Sequence, residues 1–205
     1  LTDGTDIGEV TEEDRLRAGL YDFLAAVLAR PPKAELIERT RALTGDDSPL
    51  GQAIAALSRV ASTVNETAAE REFNRLFIGL GRGEVLPYAS YYMTGFLNEK
   101  PLAVLRQDMA RLGIERAPNV FEPEDNIASL CEMMAGLILG RFGRPASLQA
   151  QRDFFNRHLA TWAGPFFTDL ERAEGSFFYA PVGAAGRTFV EIEKEAFRMA
   201  GASAA

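Results

Sequence analysis

The sequence predicts an all-α protein, a single helical domain of about nine to ten helices in two lobes, and three observations carry that expectation. Apolar residues recur at three- and four-residue steps through most of the 205 residues. No segment sustains period-two alternation with β-branched enrichment, and Phe177, Phe178 and Tyr179 are too short a run to make a sheet. Proline and glycine fall between the periodic stretches, while no fixed-period repeat or low-complexity segment divides the chain.

Taken in order, Leu16, Leu20, Phe23, Leu24, Val27 and Leu28 share one helical face, with Thr11 and Asp14 spaced as a capping box before it and Pro31-Pro32 ending it. A shorter helix runs from Lys33 to Leu43. Residues 45–49 then form a turn that ends in a cap and a first-turn proline, Ser48 and Pro49. The following stripe is Ile54, Leu57, Val60 and Val64; Asn65 breaks it, and the next helix carries Ala69, Phe73, Leu76, Phe77 and Leu80. Gly79, Gly81 and Gly83 open a loop to Pro87, and the aromatic cluster Tyr88, Tyr91, Tyr92 and Phe96 comes directly after it, the least regular stretch of the chain.

A helix from Pro101 to about Gly113 shows Leu102, Leu105, Met109 and Leu112, with Asn98 as its expected cap. From Pro123 to Phe142 the residues are apolar almost all round, as in a helix buried on most faces, so this is the expected central helix. The stripe Leu148, Phe155, Leu159, Trp162, Phe166 and Leu170 is interrupted by Gly164-Pro165, which leaves one kinked helix or two consecutive ones. The last helix spans about Gly186 to Met199. The expected organisation is a flexible tail over 1–12 and a helical domain over 13–200, with an N-lobe at about 13–118, a hinge at about 114–125 and a C-lobe at about 123–200.

Composition narrows the function. With 47% hydrophobic and 25% charged residues, the chain has the make-up of one ordinary domain. A chain of this length buries about 70% of the surface its unfolded form exposes, so no staple is needed. Twenty-two Lys plus Arg against twenty-nine Asp plus Glu give a net charge of -7, which disfavours nucleic acid and suits a basic partner. Cys131 and His158 are the sole members of their types, so a His/Cys metal site or an internal disulfide is not expected, and neither is a cofactor. One cysteine in an apolar stretch fits a reducing compartment, and the cytoplasm is the expected location. No apolar run approaches the roughly 18 to 20 residues that span a bilayer, and the acidic, Gly-rich stretch from Leu1 to Asp14 is unlike a signal peptide.

Catalysis has little to work with. Gly79-Leu80-Gly81-Arg82-Gly83 lacks the preceding strand and the following Gly-Lys-Ser/Thr of a phosphate loop, because a helix precedes it and Glu84 follows. There is no Gly-x-Ser-x-Gly elbow, His158 sits between Phe154 and Trp162 on a helical stripe, and Cys131 lies where desolvation disfavours a thiolate. The chain is therefore not expected to be an enzyme. The segment Phe121-Glu122-Pro123-Glu124-Asp125-Asn126 admits two readings. Pro123 at the first helical position and acids complementing the helix dipole would account for it structurally. Alternatively, an interlobe cleft presents these carboxylates, beside exposed aromatics, to a cationic ligand.

Several blocks in order carry a resemblance: Glu72-Phe73 with Leu76-Phe77-Ile78-Gly79; Pro87-Tyr88 with Ser90 and Tyr92; Glu122-Pro123-Glu124-Asp125-Asn126 leading into Leu130, Met133 and Met134; and Phe155, His158-Leu159, Trp162 and Phe166. Together they resemble the TorD/DmsD/NarJ family of redox-enzyme maturation chaperones, over residues 15 to about 200. The resemblance implies a TorD-like all-helical fold, a cytoplasmic protein without enzymatic activity, and a monomer or domain-swapped homodimer. It also implies a partner, the twin-arginine signal peptide or apoprotein of a molybdenum-cofactor oxidoreductase of the DMSO reductase type, with formate dehydrogenase as one client, held until cofactor insertion and export. A guanine-nucleotide- or molybdopterin-handling accessory protein is the alternative. The family commonly has Asp-His where this sequence has Asp125-Asn126.

A twin-arginine leader joins two guanidiniums to an apolar segment, so it needs carboxylates for charge-assisted forks and an aromatic groove for an amphipathic helix. Glu122, Glu124 and Asp125, with Asn126 beside them, are the candidates for the first. Phe121, Pro87, Tyr88, Tyr91, Tyr92, Phe73, Leu76 and Phe77 are candidates for the second, although Phe73, Leu76 and Phe77 fit a helical stripe and so compete as core.

Overall fold

The computed structural model describes residues 10–116, 118 and 120–202. Residues 1–9 of the expected tail, and 117 and 119 of the expected hinge, lie outside them. The described residues contain ten α-helices and no strand: α1 (Glu12–Ala29), α2 (Ala34–Arg41), α3 (Pro49–Ala61), α4 (Glu66–Phe73), α5 (Ala89–Thr94), α6 (Lys100–Leu112), α7 (Ile127–Leu139), α8 (Leu148–His158), α9 (Ala163–Arg172) and α10 (Tyr179–Ala202).

Several helix starts follow from local chemistry. Thr11 and Asp14 form a reciprocal capping box on α1, and Ser48 caps α3 with Pro49 in its first turn. Asn65 separates α3 from α4 and also caps the latter by accepting from the Ala68 N–H at 2.9 Å. Beyond Phe73 the helix loosens into a π-helical turn over Asn74–Ile78 and stops at Gly79, whose φ of 61° is open to glycine and strained for other residues.

Other boundaries differ from expectation. Asn98 does not cap α6. It takes a left-handed φ of 59°, and Glu99 is the residue at the cap position. The central helix starts at Ile127, not Pro123, because Asn126 turns its side chain back to accept from the Ala128 N–H at 2.9 Å. Aromatic residues 88–94, read as irregular, include the short helix α5. The Gly164-Pro165 interruption resolves as two helices: α8 ends at His158, and both residues sit in the first turn of α9. Helix α10 begins seven residues before the expected Gly186, since Gly183 and Gly186 serve packing rather than breaking. A Cβ on Gly183 would lie 2.6 Å from the Glu171 nitrogen, so glycine is what lets α10 close on α9.

One apolar core runs through the chain. Helix α7 is buried on nearly every face and packs on α1, while α10 packs on α3 and α9. Elements of the expected N-lobe thus meet elements of the expected C-lobe in a common interior. Three buried carboxylates tie distant segments together. Glu72 accepts from the backbone N–H groups of Phe177, Phe178 and Tyr179 at 2.7, 3.0 and 2.8 Å, holding the start of α10. Glu193 accepts from Arg17 Nε and Nη2 at 2.8 and 2.9 Å and from the Tyr21 hydroxyl at 3.0 Å. Asp108 faces Arg111, Arg157 and His158.

Candidate functional site

Between α6 and α7 the chain returns beside the entry to α5, and backbone geometry holds the two strips together. Tyr88 and Asn126 form an isolated antiparallel bridge; the Ala89 N–H donates to the Asp125 carbonyl at 3.0 Å, and the Ile127 N–H to the Pro87 carbonyl at 2.9 Å. Pro87 is buried and contributes through that carbonyl. Asp125 is 1% exposed. Its Oδ2 accepts from the Ser90 N–H at 2.8 Å and from the Ser90 hydroxyl, so it caps α5 from another segment, a bond the residue before α5, Tyr88, does not supply. Asp125 Oδ1 is buried with no hydrogen-bond partner among the described residues.

The acid segment is therefore not a dipole-complementing first turn. Pro123, Glu124 and Asp125 all precede the helix, and each acid has its own partners. Glu122 is exposed; its Oε1 accepts from the Tyr88 hydroxyl and from Asn126 Nδ2, the latter at 3.3 Å. Glu124 is buried and lies between two arginines of the same chain. Arg106 places Nε and Nη2 at 3.0 and 2.9 Å from Oε2, and Arg116 Nη1 lies 3.5 Å from Oε1. Arg116 also donates from Nη2 to the Glu122 carbonyl at 2.9 Å. Burial alone would raise Glu124, but the hydrogen bonds from Arg106 and the two positive charges outweigh it and hold the carboxyl below its ordinary value. Burial and the Glu122 carboxylate together keep the Tyr88 phenol protonated well past its ordinary range.

Apolar surface flanks this pair. Phe121 is 89% exposed, and Val120 is exposed beside it. Tyr91 is half-buried, with the Arg82 guanidinium 5.0 Å above its ring. Tyr92 turns the other way: its ring lies 5.5 Å from Trp162 and its hydroxyl donates to Asp169 Oδ2 at 2.8 Å, joining α5 to α9.

The expected site residues thus separate. Exposed Phe121 and Glu122 lie beside Tyr88, with Glu124 and its arginines next to them, while Tyr91 follows three residues on in α5 against Arg82. Asp125 and Asn126, expected to face a ligand, are buried and act as internal caps, Asp125 through Oδ2 to Ser90 and Asn126 through Oδ1 to the Ala128 N–H. Phe73, Leu76 and Phe77 instead pack into the interior. Phe73 and Leu76 are buried in the core, and the Phe77 ring packs 4.9 Å from Phe73 and 5.3 Å from Tyr179. Arg106 and Arg116 are the site residues that sequence reasoning missed. Their side chains are polar positions on and after a helix, and nothing local ties them to an acid 18 and 8 residues further on.

Among the described residues no group of three or more His, Cys, Asp or Glu is placed to hold a metal ion, and no helix is long and apolar enough to cross a membrane. Burial pushes the Cys131 thiol up, and burial with the neighbouring Arg157 and Arg111 lowers His158 to about 4.

The family model described as nitrate reductase delta subunit matches residues 43–168, more than half of the chain. The chain belongs to that family. Two relatives agree with the family assignment and with the TorD/NarJ resemblance: a chaperone protein TorD of Vibrio cholerae serotype O1, 30% identical over 151 residues, 69% of this chain and 68% of that protein, and one of Aliivibrio fischeri, 26% identical over 209 residues, 91% and 97%. A solved structure described as a putative redox enzyme maturation protein from Archaeoglobus fulgidus shares the fold, with a TM-score of 0.57, 22% identity, and coverage of 86% of this chain and 94% of that one. The family match runs from before α3 into the first part of α9 and so includes the whole acid segment and the tyrosine strip.

Proposed function

We propose that this delta-subunit-family chain is a maturation chaperone that binds the twin-arginine signal peptide and apoprotein of a molybdenum-cofactor oxidoreductase in the cytoplasm, before export, and carries out no reaction of its own. The observation that supports this reading is the junction of Tyr88 with Glu122 beside exposed Phe121 and half-buried Tyr91. Carboxylates and aromatic surface meet there, and a leader that pairs guanidiniums with an apolar helix needs both. Glu122 and Glu124 are the acids in this reading; Phe121, Tyr88 and Tyr91 form the apolar wall. Asp125, Asn126 and Pro87 hold the two strips in register. A hinge role for residues 114–125 belongs to the same proposal.

The test is a calorimetric or anisotropy titration with a synthetic twin-arginine leader. Binding is expected to weaken with salt, because exposed charges are screened. Glu122→Gln with Phe121→Ala is expected to weaken it by about tenfold or more, the equivalent of about 1.4 kcal/mol. Affinity unchanged in that double variant, with the fold intact, would reject this surface as the binding site.

A further inference from the structure

We propose that the groove between α1 and the α2–α3 pair is a second docking surface, which takes an amphipathic helix with carboxylates along its flanks. It shares no residue with the acid segment or the tyrosine strip, so the proposal reaches beyond the twin-arginine reading. Helix α1 packs on α7, while α2 packs on α3 and α3 on α10. Between them lies a recess of about 820 Å³, lined by α1, α2, α3 and the loop from α2 to α3, with buried Leu57 and Ala185 at its floor.

The α1 wall points to a helix as the occupant. Leu16, Gly19, Leu20 and Phe23 line the recess at i, i+3, i+4 and i+7, the pattern by which helices pack on helices, and Leu16 remains 69% exposed. Gly19 is a poor helix former, yet its φ is not left-handed and a Cβ on it would meet nothing within 4 Å. Neither backbone conformation nor packing among the described residues calls for glycine here. A helix seated across it does, because a bare Cα lets two backbones approach closely. From Leu16 to Phe23 the wall rises about 10 Å, so an occupant of about two turns covers it.

The rim sets the charge of that occupant. Arg15, Arg39 and Asp46 are the charged residues that line the recess. The Asp46 carboxylate is taken up by its own loop, where it accepts from the Ser48 N–H at 3.0 Å and from the Ser48 hydroxyl. The two guanidiniums make no hydrogen bond among the described residues; Arg15 has an exposed ion contact of 3.8 Å with Glu12, which does not line the recess. An exposed contact of that kind holds its partners weakly, so both arginines can take carboxylates through charge-assisted forks. The acid segment makes the reverse demand, for a cation.

The test titrates two labelled peptides of about 15 residues against the full chain by fluorescence anisotropy. One carries leucines at i, i+3, i+4 and i+7 with glutamates on both flanks, and the other has lysines in place of the glutamates. The glutamate peptide is expected to bind about tenfold more tightly at low salt, a preference that shrinks as salt rises. Gly19→Leu is expected to weaken its binding by about tenfold or more while melting at or above the parent, because the new side chain fills the recess without a clash. Arg39→Glu is expected to bring the two peptides to about equal affinity. Equal binding of both peptides by the parent, or unchanged binding by a folded Gly19→Leu, overturns the proposal. So does a parent that binds neither helix, that takes up dodecanoate in their place, or that forms a dimer which Gly19→Leu disrupts. Should Gly19→Leu fail to fold, Arg39→Glu decides, and a glutamate preference left intact by it overturns the proposal. Twin-arginine leader binding is expected to be the same in Gly19→Leu and the parent; a parent that takes the glutamate helix but not the leader refutes the functional reading alone.

Discussion

Replacing Glu72 tests the claim that one buried side chain starts the longest helix. Its Oε1 accepts from the N–H groups of Phe177 and Tyr179 and its Oε2 from that of Phe178, where α10 begins. Glu72→Ala removes both acceptor oxygens, and with them all three hydrogen bonds, and the negative charge facing the helix N-terminus. Hydrogen bonds to a charged group contribute roughly 1.5 to 3 kcal/mol each, but three on one carboxylate share geometry and charge, so the sum is not additive. We expect a loss of about 3 to 5 kcal/mol, which for a chain of this size lowers Tm by about 10 °C. Glu72→Gln keeps the Oε1 pair and sets an N–H against the Phe178 N–H, so its cost is expected to be about half as large. Urea and thermal unfolding followed by circular dichroism measure both. If Glu72→Ala lies within about 0.5 kcal/mol of the parent, or if Gln costs as much as Ala, the capping account is wrong.

Three further outcomes are expected. His158 is neutral in the native protein because burial, Arg157 and Arg111 lower it to about 4, with Nε2 2.7 Å from Asp108 Oδ2. The unfolded ring takes up its proton near pH 6.5, so stability is full above that pH and falls as the pH drops from 6.5 towards 4, by up to about 3 kcal/mol; His158→Gln should flatten this part of the profile, and parallel profiles would exclude His158 as the cause. Arg17→Met strands the buried Glu193 carboxylate with only the Tyr21 hydroxyl and is expected to cost about 3 to 5 kcal/mol, most of it recovered when Glu193→Leu is added; a denaturant double-mutant cycle with no recovery contradicts this. Gly19→Ala, with nothing within 4 Å of the new Cβ in an exposed part of α1, should stabilise by about 0.4 to 1 kcal/mol, while Gly183→Ala, 2.6 Å from backbone, should destabilise by about 1 to 3 kcal/mol; opposite signs in melting experiments are the check.

Helix content was legible from residue order alone wherever the signal is local. The Thr11–Asp14 box, the Ser48-Pro49 start and the three- and four-residue stripes act within a turn or two, so spacing along the chain is spacing in space. The burial of α7 was legible for the same reason, from its all-round apolar character. The family blocks likewise named both the tyrosine strip and the acid segment, which the fold sets side by side through the Tyr88–Asn126 bridge.

What the chain's order left open, packing decided. Whether Gly183 breaks a helix or admits a neighbour depends on α9 being there. Whether an acid near Pro123 is offered to a ligand or consumed depends on partners far away in sequence: Ser90 for Asp125, Arg106 and Arg116 for Glu124. Phe73 and Phe121 are the same residue type, yet one is sealed against Phe77 and Tyr179 and the other stands in solvent. A side chain's type sets what it can bind, while the charges and surfaces that the fold brings against it determine whether that capacity is already used. Only the tertiary structure supplies those neighbours.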